Sequence, residues 1–323
     1  MIKKINFSNY RIVVTGATGF LGRHLMPILQ ELARPSNLIG LSSKNYDLID
    51  HNQVKKMFAE LKPEILIHLA GYSGGIGANN KFPADFYFRN TLLTALVFQE
   101  AANSGIKKLI YPMGGCSYPG KAKSPIDEQQ MWEGFPQMES AGYSSAKKMS
   151  IVASMTYRKQ YNLNSTIIIP GNMYGEYDNF SMEDSHVIPA QVRKFYEAKL
   201  RGDENVTLWG SGAPARDFVY AGDVANAILW FIENFNETGP VNISSGTTTS
   251  IKELAETVSE LSGFKGKIVW DTSKPDGQMV KIFDVKYLKS LGLSCNTQLR
   301  DGLQKTINWF IKHYSRKTDG IRL

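Results

Sequence analysis

The chain has 323 residues, 42% of them hydrophobic and 21% charged, with a formal net charge of +7 at pH 7. That is enough chain for one large domain or a domain with a smaller lobe, in the ordinary balance of a globular protein. No apolar run of about eighteen residues occurs, which excludes a membrane-spanning helix, and the two cysteines, Cys116 and Cys295, cannot make a disulfide framework or a zinc cluster and are expected to be free thiols.

The opening stretch, MIKKINFSNYRIVVTG, has no apolar signal core and runs directly into a strand, so a cytoplasmic protein is expected. RIVVTG (11–16) reads as that strand and GRHLMPILQELA (22–33) as a helix with apolar residues at helical spacing. NLIGLS (37–42) is a second strand, HNQVKKMFAELK (51–62) a helix and EILIHLA (64–70) a third strand. A long helix over 84–105 ends at Gly105, and KKLIYPM (107–113) follows as a strand. A second long helix covers 143–161, before STIIIPGN (165–172). Continuous apolar strands crossed by helices imply a parallel sheet covered on both faces, an α/β Rossmann-type doubly wound fold. Beyond about residue 175 the pattern loosens into helices at 187–200, 222–234, 250–262 and 298–315 and short strands such as 205–210. We expect a Rossmann domain over 1–175, rejoined by a segment at about 213–245, and a smaller C-terminal α/β substrate lobe over 176–323.

VVTGATGFLG (13–22) places Gly16, Gly19 and Gly22 just after a strand and at the opening of a helix. Gly16 permits a tight turn, Gly19 a close approach to a pyrophosphate and Gly22 close helix–strand packing. Thr18, Phe20 and Leu21 complete that loop. The end of the second strand separates NAD from NADP readers, and here it is Leu41-Ser42-Ser43-Lys44, with no acid until Asp47. Ser42, Ser43 and Lys44 suit a 2′-phosphate, so NADP(H) is favoured with NAD(H) possible; a polar surface loop would look the same. Asp50 is placed on the adenine side, and Leu69, Ala70 and Gly71 line the cofactor after the third strand. The positive net charge suits an anionic small molecule. There is no basic tract interleaved with aromatics, so no nucleic-acid partner is expected, and no membrane or metal either.

Tyr143 and Lys147, in YSSAK, lie one helical turn apart and share a face. An ammonium near a phenol favours phenolate, and such a Tyr can pass a proton to or from a sugar oxygen while hydride moves at the neighbouring carbon. The glycine fingerprint with Tyr-x-x-x-Lys resembles the extended short-chain dehydrogenase/reductases, the NAD-dependent epimerase/dehydratase superfamily. AGYSGGIGANNKFPADF (70–86), GNMYGEYDNF (171–180), DSHVIPAQVRKF (184–195), LWGSGAPARDFVYAGDVA (208–225) and DTSKPDG (271–277) resemble the GDP-L-fucose synthase family more specifically.

That resemblance implies a GDP-4-keto-deoxyhexose or heptose epimerase/reductase using NADP(H). Tyr143 would be the C4 proton donor and Lys147 its partner. Cys116, in GGCSYP, would be the epimerisation base and His186, in SHVIPA, the acid on the opposite face. Arg216 would contact the diphosphate. Asn172, Trp209 and Lys274 would contact nucleotide or sugar, with Lys194 standing where the family usually has a second Arg. Gly115, Ser117 and Val187 would be further substrate contacts, and Pro170, Asn172 and Met173 further cofactor contacts. The helices 84–105 and 143–161 would pair in a homodimer.

Two departures stand out. The family carries Ser or Thr where this chain has Gly114. Either Ser117, Ser144 or a water supplies that hydrogen bond, or Gly114 and Gly115 enlarge the space beside C4 for a bulkier sugar such as a heptose. GATGFLG also has the general superfamily form rather than the Gly-His-x-Gly start common in fucose synthases. Two other readings therefore stay open: an NAD(H)-retaining nucleotide-sugar epimerase or 4-dehydrogenase, and a catalytically inactive dinucleotide-binding relative. A 4,6-dehydratase would want an Asp-Glu pair where Gly115 and Cys116 stand.

Overall fold

The computed structural model describes residues 6–274, 276–316 and 322–323; Met1–Ile5 of the N-terminal stretch and Pro275 of the DTSKPDG block lie outside them. In chain order the elements are β1 (Ile12–Thr15), α1 (Phe20–Leu32), β2 (Leu38–Leu41), α2 (His51–Leu61), β3 (Ile65–His68), α3 (Ile76–Lys81), α4 (Pro83–Asn103), β4 (Lys108–Pro112), α5 (Ala141–Tyr161) and β5 (Ser165–Pro170). There follow β6 (Asn172–Tyr174), α6 (Val187–Arg201), β7 (Asn205–Trp209), β8 (Ala215–Arg216), β9 (Phe218–Tyr220), α7 (Ala221–Asn234) and β10 (Pro240–Ile243). The last are β11 (Thr249–Ser250), α8 (Ile251–Ser262), β12 (Lys267–Asp271), β13 (Val280–Lys281), α9 (Lys286–Ser290) and α10 (Leu299–Arg316). The ends of the strands and helices expected from the sequence move by at most two residues.

The chain divides into two compact units, Met1–Ala122 with Glu128–Pro170 and Val224–Ile243, and Lys123–Asp127 with Gly171–Asp223 and Ser244–Leu323. The first holds a six-stranded sheet in the order β10-β5-β4-β3-β1-β2, parallel throughout. Its strands are apolar at consecutive positions because both faces are covered; Ile12, Val14, Ile65, Ile67, Leu109, Ile110, Ile167 and Ile169 are all buried. From β1 the chain passes to β2 on one side and then to β3 on the other, so the order reverses at β1. That reversal opens a crevice at the carboxyl ends of β1 and β3, the place where such sheets bind ligands. β10 has no strand signature of its own. Its four residues, PVNI, become a strand by pairing with β5, Val241 opposite Ile168.

The second unit carries three small sheets, β11-β8-β13, β12-β7 and β6-β9. Its core joins Val192 and Phe195 of α6, Leu254 and Val258 of α8, and Ile307 and Phe310 of α10 around Phe180. A buried carboxylate ties its loops together. Asp217 accepts from the Ser245 hydroxyl at 2.7 Å and from the backbone N–H groups of Ser245, Gly246 and Phe283. So many donors offset the cost of burying a charge. Among the described residues no helix is long and apolar enough to cross a membrane.

Candidate functional site

The glycine loop after β1 is built for close approach. Gly16 has φ +70°, and a Cβ there would stand 2.8 Å from the Ala70 nitrogen, so this turn and the Leu69–Gly71 turn after β3 abut. Gly19 is the N-cap of α1 and offers no side-chain acceptor to the first-turn N–H groups. Those donors, with the helix dipole behind them, fit a pyrophosphate. The residues present therefore fit a dinucleotide. At the end of β2, Asn45 folds the loop: its Oδ1 accepts from the Ser42 N–H at 2.8 Å and from the Ser42 hydroxyl at 3.1 Å, leaving Ser43 and Lys44 exposed. Asp50 is spent locally as the cap of α2, accepting from the N–H groups of Asn52 and Gln53.

Tyr143, Lys147, Gly114 and Cys116 are brought together in the first unit. Tyr143 sits in the first turn of α5, its ring edge-on to Phe86 with centroids 6.2 Å apart. Gly114 follows β4 in ordinary extended backbone, φ −81° and ψ 141°, so glycine is not required there by the main chain. A Cβ on Gly114 would lie 3.1 Å from Cys116 Sγ, 3.1 Å from Tyr143 Cε1 and 3.4 Å from the Tyr143 oxygen. The absent side chain therefore does not leave open space at that point. The thiol and the phenol close in on it. Of the hydroxyls that were candidates to replace it, Ser117 is fully buried and its Oγ has no hydrogen-bond partner. The Ser144 hydroxyl is engaged by Ser140 at 3.1 Å.

The electrostatics differ from the expectation of a phenolate. Burial first, then Cys116 and Tyr111, push the Tyr143 phenol above its ordinary range. The Lys147 ammonium, buried at 5% exposure, donates at 3.2 Å to the hydroxyl of Tyr111. Tyr143 thus rests as a neutral proton donor. Sequence reasoning read Tyr111 as one more apolar strand residue. The available signal was Asn90 and Thr94, a polar pair one turn apart on a helix face that is otherwise buried apolar surface, Phe86, Leu93, Val97 and Phe98.

The second unit assembles a different set. Trp209, 70% exposed at the end of β7, has Lys274 Nζ 5.8 Å and Lys194 Nζ 6.0 Å from its ring centroid. Arg216 lies on β8, and burial lowers the pKa of both Lys194 and Arg216. An open aromatic face with cations about it suits a base and its phosphates. Asn172 is committed to the fold, its Nδ2 donating to the Asp217 carbonyl at 2.9 Å. His186, exposed, is the N-cap of α6 without a side-chain cap bond, and Val187 opens the helix. Crowding by protein, then the Arg322 guanidinium, hold the His186 imidazole below the usual histidine range. Pro170 ends β5 and Met173 lies in β6.

Known proteins resemble this chain over most of its length. The profile of the NAD dependent epimerase/dehydratase family matches residues 12–244. A putative GDP-L-fucose synthase 2 of Arabidopsis thaliana is 38% identical over 307 residues, covering 95% of this chain and 93% of its own. Among solved structures, a GDP-L-fucose synthetase from Naegleria fowleri bound to NADP superposes with TM-score 0.89 at 29% identity, covering 99% and 97% of the two chains. A GDP-6-OMe-4-keto-L-xylo-heptose reductase from Campylobacter jejuni superposes with TM-score 0.90 at 27% identity, covering 96% and 99%.

Proposed function

We propose that this chain, which belongs to the NAD dependent epimerase/dehydratase family, is an NADP(H)-dependent epimerase/reductase of a GDP-4-keto-deoxyhexose or heptose, working in the cytoplasm as a homodimer. The observation that carries the reading is the convergence of Cys116 and Tyr143 on the bare Cα of Gly114. It sets a base for a carbon-bound hydrogen and a proton donor for an oxygen within the span of one sugar ring. The Arabidopsis, Naegleria and Campylobacter proteins support the substrate class, and the NADP of the Naegleria structure supports the cofactor.

A nicotinamide cofactor, when bound, supplies or takes the hydride at C4. The chain's own residues do the rest. The N–H groups of the first turn of α1 would hold the pyrophosphate, and the exposed Ser43 and Lys44, with Ser42 once released from Asn45, would hold the 2′-phosphate. Trp209 stacks the base, and Lys194, Arg216 and Lys274 neutralise the diphosphate. Cys116 removes the hydrogen alpha to the ketone, whose carbonyl makes that hydrogen acidic, and His186 returns a proton on the other face. Tyr143, kept protonated by burial, delivers its proton to the C4 oxygen. Lys147 stabilises the phenolate that forms, so its charge acts in the transition state more than at rest.

Proton NMR of GDP-4-keto-6-deoxymannose in heavy water, with enzyme and without reduced cofactor, tests this. Exchange at C3 and C5 supports the Cys116/His186 pair. No exchange, but hydride transfer once NADPH is added, reduces the activity to a C4 reductase. Silence in both, with the hexose and with a heptose analogue, overturns the proposal.

A further inference from the structure

Lys147 is a buried cation, and a buried cation needs acceptors. Its ammonium lies 4.2 Å from the centroid of the Tyr111 ring and donates to the Tyr111 hydroxyl at 3.2 Å. That hydroxyl is 2.6 Å from Thr94 Oγ1, and Thr94 in turn donates to the Asn90 carbonyl at 2.8 Å. Because the Thr94 proton is used on the carbonyl, its oxygen is left to accept from Tyr111. The Tyr111 oxygen is then free to accept from Lys147. The direction of the whole chain is fixed, and it ends on a backbone carbonyl of α4. It cannot carry a proton to solvent. It can hold an ammonium.

The surroundings keep the chain rigid. Tyr111 is fully buried and Thr94 nearly so. The His68 ring stacks on Tyr111 with centroids 5.3 Å apart, and its Nδ1 pairs with Thr15 Oγ1 at 2.8 Å. Thr15 Oγ1 also accepts from the Ala70 N–H at 3.3 Å, beside the cofactor loop. The titratable groups around Lys147 are His68 on β3, Tyr111 on β4 and Tyr143 on its own helix, with Cys116 facing Tyr143. Burial, and then the Lys147 charge, lower His68 to about 3, so His68 adds no competing positive charge.

We infer that Tyr111, backed by Thr94, is the positioning residue of this enzyme for Lys147. It accepts from the ammonium and aims it at the Tyr143 side of the helix and at the cofactor ribose. The inference rests on the Tyr143/Lys147 chemistry proposed above. It adds a residue to that machinery which the Tyr-x-x-x-Lys spacing does not contain.

The test compares Tyr111→Phe, Thr94→Val and Thr94→Ser with the wild type. Four quantities are read: kcat of C4 reduction, KM for the GDP-4-keto sugar, the pH–rate profile and the NADPH dissociation constant by fluorescence. Removing a hydrogen bond to a charged group in Tyr111→Phe should lower kcat about tenfold or more and leave the sugar KM unchanged. The alkaline limb of its pH profile, set by the Tyr143 proton donor, should move to higher pH, because an ammonium no longer aimed at the phenol favours phenolate less. NADPH binding should weaken about three- to tenfold. Thr94→Val should lie between, and Thr94→Ser, which keeps the hydroxyl, should restore wild-type values. A Tyr111→Phe enzyme whose kcat, pH limb and NADPH affinity all match the wild type overturns the inference. So does one that merely melts at lower temperature with the limb unmoved. If the wild type turns over no GDP-4-keto sugar, the functional reading has failed, and NADPH affinity alone decides. Unchanged affinity in both Tyr111→Phe and Thr94→Val overturns the positioning role, and weakened affinity restored in Thr94→Ser upholds it.

Discussion

A Cβ on Gly114 would stand 3.4 Å from the phenolic oxygen of Tyr143, and the main chain at Gly114 is one that any residue can adopt. A hydroxyl at this position would reach both Tyr143 and an oxygen bound to it. The same Cβ would press on Cys116 Sγ and on the Tyr143 ring at 3.1 Å, so both must yield by a few tenths of an ångström. Gly114→Ala has only the crowding and should lose turnover. Gly114→Ser has the crowding and a hydrogen bond worth about 1 kcal/mol, so its kcat should exceed that of Gly114→Ala by about fivefold. The two substitutions differ by one oxygen, and equal rates would show that this oxygen has no partner.

His186 gives a pH signature. Its ring is solvent-accessible, but the protein crowded about it, and then the Arg322 charge, hold the imidazole below the usual histidine range. An acid must be protonated to act, so proton return to the sugar should slow as pH rises through a value below about 6.5. C3/C5 exchange followed by NMR across pH 5 to 8 should show that fall, and His186→Asn should abolish it. An exchange rate that rises over this window would reverse the roles of His186 and Cys116.

Stability should also carry a pH term, from Asp178. Burial raises its carboxyl to about 7, against a backbone hydrogen bond from Asn179 and the charge of Arg322, both of which lower it. Its Oδ2 has no hydrogen-bond partner. Between the unfolded value near 3.8 and the folded value near 7, the folded protein binds more protons than the unfolded chain. Stability from this group is therefore complete below about 3.8 and is lost as pH rises through 7. Asp178→Asn removes the titration, so it should stabilise the protein by ~1–3 kcal/mol at pH 8 and less at pH 5. Urea midpoints at the two pH values measure it, and an equal effect at both would remove Asp178 as the cause.

Much of this was readable in the sequence, for identifiable reasons. The parallel sheet was legible because runs such as IVV, ILI and III are apolar at consecutive positions, which suits a doubly covered strand. The grouping of Tyr143 with Lys147 followed from helical spacing, whereas the close approach of Gly16 to the Ala70 backbone came only from the packing of β1 against β3. What escaped were states set by partners distant in sequence. Tyr111 meets Thr94 only because β4 lies against α4, and no local pattern reports that a strand tyrosine accepts from a lysine 36 positions later. The resting state of Tyr143 without cofactor was out of reach for the same reason. Spacing shows that Lys147 is near, while only the packing shows that burial dominates and that the ammonium already has a partner. At Gly114, the sequence left open a replacement hydroxyl or an enlarged space, and only the packing shows that a Cβ there would meet Cys116 Sγ and the Tyr143 ring at 3.1 Å.

The proposed dimer can be argued from what α4 and α5 leave uncovered. Phe88 on α4 is 58% exposed, and on α5 Met149, Val152 and Met155 are 45%, 40% and 55% exposed. The last three recur every three residues, so they share one face of the helix. Single exposed apolar residues are common, but a row of them along a long helix is costly to hydrate and marks an interaction surface. Covering it with the same row of a second copy satisfies both chains at once, which a two-fold axis does naturally. The wild type should therefore elute as a dimer, with mass confirmed by light scattering. Val152→Glu with Met155→Glu places like charges opposite their symmetry mates and should give a monomer with unchanged circular dichroism. A wild-type monomer, or a double variant that stays dimeric, would assign this face to something other than a second copy.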